Sequence, residues 1–113
     1  MSIISLLLPV DDMGAAVHFL SEQIDLSPKF QDGNRYTGYA AITLNLALLG
    51  LDERIAPDAS IAVRVTDLGT ILKKWVAAGA ETVRSVEQGP HELRAVVRIP
   101  GGLLVTLVQK QGV

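Results

Sequence analysis

No cysteine occurs anywhere in the 113 residues. That excludes a disulfide framework, a thiolate zinc site and a thiol nucleophile together. Basic runs are missing too. Ten Lys and Arg are scattered among twelve Asp and Glu, for a formal net charge of −2. A nucleic-acid binder needs clustered cations to displace the phosphates' counterions, so no nucleic-acid partner is expected. Long apolar runs are also absent. The opening MSIISLLLPVDD is apolar but short, with no positive flank. It reads as neither a membrane span nor a signal peptide, and a cytoplasmic protein without a membrane partner is expected. Histidines number two and aromatics five: Phe19, Phe30, Tyr36, Tyr39 and Trp75. No Ser sits on a turn of the nucleophile type, so a Ser-His-Asp arrangement finds no support.

What is present is mostly aliphatic. The apolar share is 49% and the mean hydropathy +0.34. A chain of this length fits one domain, 1–113, with one modest core. The surplus apolar surface leads us to expect a homodimer that covers it.

An internal repeat organises the chain. PVDDMGAAV (Pro9 to Val17) and RVTDLGTIL (Arg64 to Leu72) align Val10 with Val65, Asp12 with Asp67, Met13 with Leu68 and Gly14 with Gly69. The offset is 55 residues (65 − 10), about half the chain. Ile3 to Val10 and Ile61 to Val65 are strand-length, β-branched-rich runs. Asp12 and Asp67 then stand where an N-cap is needed, because a short carboxylate accepts the free N–H groups of a first helical turn. Met13, Ala16, Val17, Leu20 and Ile24 follow at helical spacing, as do Leu68, Ile71, Leu72, Trp75 and Val76. Gly79 reads as a helix stop, and the surroundings of Gly33 and Gly89 as turns. Strands over Ile42 to Leu49 and Leu103 to Val108 complete two βαβββ modules, about 1–49 and 60–113, joined by a polar linker, 50–59.

Strand alternation sorts the side chains. Ile42, Leu44, Leu46 and Leu48 form an apolar face for the first helix, with Leu6, Leu8 and Val10. Leu103, Val105 and Leu107 serve the second, with Ile61, Val63 and Val65. The opposite faces carry Ser5, Asn45, Ser60, Ala62, Arg64 and Thr106.

The stretch GPHELRAVVRIPGG (Gly89 to Gly102) reads as turn, strand, turn. His91 and Glu92 point to opposite faces of a strand and cannot chelate one ion. His91 is read as a turn residue and His18 as a solvated helix residue. Glu92, Arg94, Val96 and Arg98 share one face, with Arg64 in line. Two readings stay open there: a cationic wall for an acidic or oxygen-rich small molecule, and an exposed sheet of Glu–Arg pairs, which we favour. Trp75 is assigned to the core. Tyr36 and Tyr39 are candidates to line a binding crevice, or else pack an edge strand.

The duplicated βαβββ unit, the V-x-D-[LM] opening of each helix and the closing R-x-P-G-G-L-L-V-T-L together resemble the vicinal oxygen chelate superfamily. This is the glyoxalase, bleomycin-resistance and extradiol-dioxygenase group, and the resemblance covers nearly the whole chain. It implies an α+β fold of two tandem modules whose curled mixed sheets surround a crevice, and often a homodimer. It also implies four metal-ligand positions, two per module. Here they hold Ser5, Asn45, Ser60 and Thr106. Hydroxyls and a carboxamide are poor ligands for zinc, nickel or iron, and Ile99 replaces the group's usual Asp before Pro100. We therefore expect no metal, no cofactor and no catalysis. The expected function is to bind a small organic ligand, on the pattern of bleomycin-resistance proteins that sequester a toxic compound. The alternatives are a metal-dependent glyoxalase- or dioxygenase-like enzyme and a dimeric association domain. The candidate ligand-binding residues are Ser5, Tyr36, Tyr39, Asn45, Ser60, Arg64, Glu92, Arg94 and Thr106. In such a pocket the small polar groups should meet water or ligand rather than one another.

Overall fold

A computed structural model describes residues 1–41 and 44–111. The start of the fourth predicted strand, Ile42 and Thr43, lies outside the described residues, as does the Leu44 side chain. The elements run β1 (Ser2–Pro9), α1 (Met13–Ile24), β2 (Phe30–Asp32), β3 (Tyr36–Ala41), β4 (Leu44–Leu49), β5 (Ser60–Arg64), α2 (Leu68–Ala77), β6 (Glu81–Gln88), β7 (Glu92–Arg98) and β8 (Leu104–Lys110). This is βαβββ twice. The chain divides into two compact units, Ser5–Ala59 and Ser60–Val113, the latter joined by Met1–Ile4.

In the Ser5–Ala59 unit the strand order is β2-β3-β4-β1. β1 runs parallel to β4, and β4 antiparallel to β3. The Asp12 carboxylate caps α1, accepting from the Ala15 N–H at 2.9 Å. The helix ends at Asp25, whose φ of 60° is a left-handed conformation that Asp tolerates better than most side chains. That turn brings Leu26 back onto the core, where it packs near Leu20. Ile24, expected on the buried stripe, is 61% exposed instead, since the last turn runs past the packed layer. Met13, Tyr39 and Leu48 form the core, with Leu8, Val10, Val17 and Leu46 against them. The connection after β4 is not wholly polar: it holds a short 3-10 turn (Leu51–Glu53) and a buried Ala56. Gly50 begins it under a tight constraint. A Cβ there would lie 2.1 Å from the Asn34 carbonyl oxygen.

In the Ser60–Val113 unit the order is β5-β8-β7-β6, with β5 parallel to β8 and the rest antiparallel. Asp67 caps α2, accepting from the Thr70 N–H at 3.1 Å and its hydroxyl at 2.8 Å. The Thr70 N–H, then its hydroxyl, hold the Asp67 carboxyl below its ordinary range. At the far end Gly79 has φ 111°. Its N–H reaches Val76 O at 3.0 Å, and the Ala80 N–H reaches Trp75 O at 2.9 Å. This is the paired carbonyl capping that a left-handed glycine permits. Val63, Val65, Leu68, Ala95, Val97, Val105 and Leu107 make the core, with Trp75 packed against it. Leu103, assigned to that core by alternation, is 47% exposed because it belongs to the turn before β8. Val76 is likewise 46% exposed, at the margin of the helical stripe.

Candidate functional site

Each unit has one sheet face turned away from its helix, and the register fixes what lies on it. In the Ser5–Ala59 unit, Ser5 is the lateral partner of Asn45, which is the partner of Ala40. Leu7, Ala47 and Gly38 make the next row, and Pro9, Leu49 and Tyr36 the third. Ser5 is half-buried and Asn45 exposed. The Tyr36 ring lies over Gly38, where a Cβ would sit 3.3 Å from its Cε1. Phe30, across from Gly38 on β2, places its ring centroid 6.1 Å from that of Tyr36 at a 54° tilt. Burial raises the Tyr36 phenol above its ordinary pKa. The result is a polar end, Ser5 with Asn45, and an aromatic end, Phe30 with Tyr36, on one face.

Tyr39 does not join them. It pairs with Leu46 on the helix side and is 1% exposed, packed with Met13 and Leu48. Residues three apart on a strand face opposite ways, so Tyr36 and Tyr39 cannot both line one face. The expectation for Tyr39 is corrected accordingly. Among the described residues its hydroxyl has no hydrogen-bond partner, and burial raises its pKa.

In the Ser60–Val113 unit, Ala62, Thr106, Val96 and Arg84 form one lateral row, and Arg64, Val108, Arg94 and Glu87 the next. Ser60 and Thr106 are both buried, and their hydroxyl oxygens are 2.8 Å apart. The expectation that these hydroxyls would meet water or ligand rather than each other is corrected. One hydroxyl donates to the other, so each has a protein partner.

Glu92 and Arg94 are held in place by their surroundings. The Arg94 Nε donates to Glu87 Oε1 at 2.8 Å, and its Nη1 lies 3.8 Å from Glu92 Oε1. Arg84 reaches the same Glu87 oxygen at 3.1 Å. The Arg94 hydrogen bond, foremost, holds the Glu87 carboxyl below its ordinary range. Gly89 makes room for this cluster, since a Cβ there would stand 3.1 Å from Glu92 Oε1 and 3.2 Å from Arg94 Nη1. GPHELRAVVRIPGG is thus a turn closed by Gly89 N–H to Glu92 O at 2.7 Å, a strand, and a second turn at Gly101 and Gly102. His91 is exposed in the first of these turns, and His18 is exposed on α1. Arg64 is exposed, and among the described residues no ion pair involves it.

Alternation alone misses Glu87 and Arg84. They are three residues apart on β6, which simple parity puts on opposite faces. A register shift between them returns both to the Arg94 face.

These donors do not suit a metal ion. The four positions that the resemblance marks for metal ligands carry two hydroxyls bonded to each other and, in the other unit, a hydroxyl beside a carboxamide. Among the described residues no group of three or more His, Cys, Asp or Glu could hold one elsewhere. A separate cleft of about 400 Å³ opens at the start of α1, lined by Asp11, Asp12, Met13, Asn34, Gly50, Leu51 and Asp52. It includes none of the expected binding residues.

No family model and no curated protein matches this sequence. Solved structures do. A Legionella pneumophila protein described as an NAD-dependent benzaldehyde dehydrogenase is similar over 94% of this chain and 97% of its own, with a TM-score of 0.77 at 15% identity. A glyoxalase/bleomycin resistance protein/dioxygenase superfamily member from Vibrio splendidus 12B01 covers the same shares, with a TM-score of 0.70 at 15% identity. Methylmalonyl-CoA epimerase from Mycobacterium tuberculosis aligns over 97% of this chain and 88% of its own, with a TM-score of 0.63 at 17% identity. The names span unrelated chemistries, as expected where a scaffold is shared and its sites are not. With its two βαβββ modules and these neighbours, the chain has the vicinal oxygen chelate fold.

Proposed function

We propose that this protein binds a small organic molecule without a metal ion and without transforming it, in the manner of a sequestering protein. The observation that carries the reading is the mutual bond of Ser60 and Thr106 at positions where the fold's metal enzymes place ligands. Two hydroxyls that satisfy each other inside a sheet are neither metal ligands nor an acid/base pair. In the other unit, Ser5 and Asn45 offer a hydroxyl and a carboxamide at one end of a face whose far end holds the Tyr36 and Phe30 rings. A carboxamide donates and accepts, and aromatic rings supply flat apolar area. That combination suits a neutral organic molecule with apolar and hydrogen-bonding parts.

The reading includes a homodimer in the cytoplasm. Ile3, Phe19, Phe30, Val83 and Val86 are all at least 37% exposed, which is much apolar surface for a chain of this size. The names of the neighbours do not choose a reaction for this chain, since dehydrogenase and epimerase appear side by side. Elemental analysis after purification without chelator or affinity metal tests the proposal. Well under one transition metal per chain is expected. One per chain, lost on substituting Ser60 and Thr106, would replace the proposal with a metal enzyme.

A further inference from the structure

On the face of the Ser60–Val113 unit turned away from α2, the register places five cations, Arg64, Arg84, Arg94, Arg98 and Lys110. They stand against three carboxylates, Glu81, Glu87 and Glu92. The chain as a whole is acidic, at −2, so this face runs against the average. The carboxylates are unequally shared. Glu87 serves both Arg94 and Arg84, and Glu92 also leans on Arg94. Arg98 donates to the Gly102 carbonyl at 3.0 Å. Among the described residues no ion pair involves Arg64 or Lys110.

Those two cations stand beside one residue. Val108 is the lateral partner of Arg64 on one side and of Arg94 on the other, and Lys110 lies two positions further along the same strand. Neighbouring strands are about 4.8 Å apart, and alternate residues of a strand about 7 Å. Half-buried Val108 is therefore an apolar floor with cations on three sides; among the described residues Arg94 alone of the three forms ion pairs, and Glu92 is the lateral partner of Lys110. Ala62 and Val96, one row on, are buried, so the accessible floor ends at Val108.

We infer that this face selects organic anions, with exposed Arg64 beside half-buried Val108 as the anchor for a carboxylate whose apolar part lies on Val108. The inference goes beyond the small-molecule reading above: it assigns a second face, on the Ser60–Val113 unit, to an acid. Arg64 suits the role because a guanidinium presents two parallel N–H donors to a carboxylate. Arg94, engaged by Glu87 and Glu92, adds positive potential and is not itself freed to bind.

The test is an NMR titration of the labelled full chain with isobutyrate, hexanoate and benzoate, each paired with its primary amide. At least one carboxylate should shift the backbone resonances of Arg64, Val108 and Lys110 saturably. Its amide should bind about tenfold more weakly, since the charge-assisted bond is lost. Arg64→Ala should remove that tenfold preference, and Arg64→Lys should restore part of it. Lys73→Ala deletes the same charge from α2 and should change nothing, which separates local recognition from net charge. Arg64 is exposed, so retained amide dispersion will show that the variant is folded. An amide that binds as well as its acid, or an Arg64→Ala variant that keeps the preference, overturns the inference and leaves small-molecule binding standing. No saturable shift on this face with any acid also overturns it. A metal found in the protein, by contrast, overturns the proposed function and not the anion selection.

Discussion

The hydroxyls of Ser60 and Thr106 are 2.8 Å apart, and the two residues are 2% and 0% exposed. Ser60 opens β5 and Thr106 lies within β8, so the bond ties two parallel strands through side chains as well as backbone. Removing one partner strands the other. Ser60→Ala and Thr106→Val should each destabilise by about 1–3 kcal/mol, the cost of leaving a buried hydroxyl unpaired. The double variant should be less unstable than the sum of the singles, because neither hydroxyl then remains. Urea denaturation of the four proteins measures this, and additive losses would mean the pair is not coupled.

Gly50 should tolerate no side chain. A Cβ would meet the Asn34 carbonyl oxygen at 2.1 Å, and the Gly50 N–H is bonded to Arg35 O at 2.9 Å, which holds the two backbones together. We expect Gly50→Ala to cost at least about 2 kcal/mol by the same denaturation measurement, among the larger single-site effects. An unchanged midpoint would show that the two segments separate easily.

Asp67 gives a pH signature. Its carboxyl is held below the ordinary value of 3.8 by the Thr70 N–H and hydroxyl. A depressed folded-state pKa stabilises above the unfolded value, and the gain fades as pH falls through the folded one. Asp67→Asn keeps a good cap and removes the titration. The stability difference between wild type and Asp67→Asn should be constant above about pH 5 and shift against wild type between about pH 4 and pH 2. Parallel curves across that window would contradict the capping account.

Light scattering at low micromolar concentration should give twice the 12.1 kDa monomer mass. A clean monomer would remove the homodimer and leave Ile3, Phe19, Phe30, Val83 and Val86 as surface awaiting another partner.

Much of the scaffold was legible because its signals are local. Asp12 and Asp67 cap helices through residues three positions away, and Gly79 stops one through its own φ. Strand alternation put Ser5 with Asn45, and Ser60 with Thr106, on the faces away from the helices, as the register does. What alternation could not supply was distance. Whether two hydroxyls on one face touch depends on strand stagger, and Ser60 and Thr106 do touch. Tyr39 was misread because two tyrosines three apart were treated as one feature, although a strand turns them to opposite sides. Glu87 and Arg84 were missed because irregular pairing along β6 breaks the period of two on which the reading relied. Leu103 and Ile24 fit their patterns and are exposed anyway, each lying at an end where the packed layer stops.

Thermal melting with a chelator present is the decisive test of ligand binding that needs no metal. The full chain should be screened in EDTA against a library of neutral and acidic small molecules. At a hundredfold excess over its Kd, a true ligand stabilises by about 2.7 kcal/mol, a rise in Tm of roughly 10 °C for a domain near this size. At least one such ligand is expected, with the shift undiminished by EDTA and reduced by Asn45→Ala or Tyr36→Ala. Stabilisation that appears only when zinc, nickel, iron or manganese is added back would contradict metal-free binding.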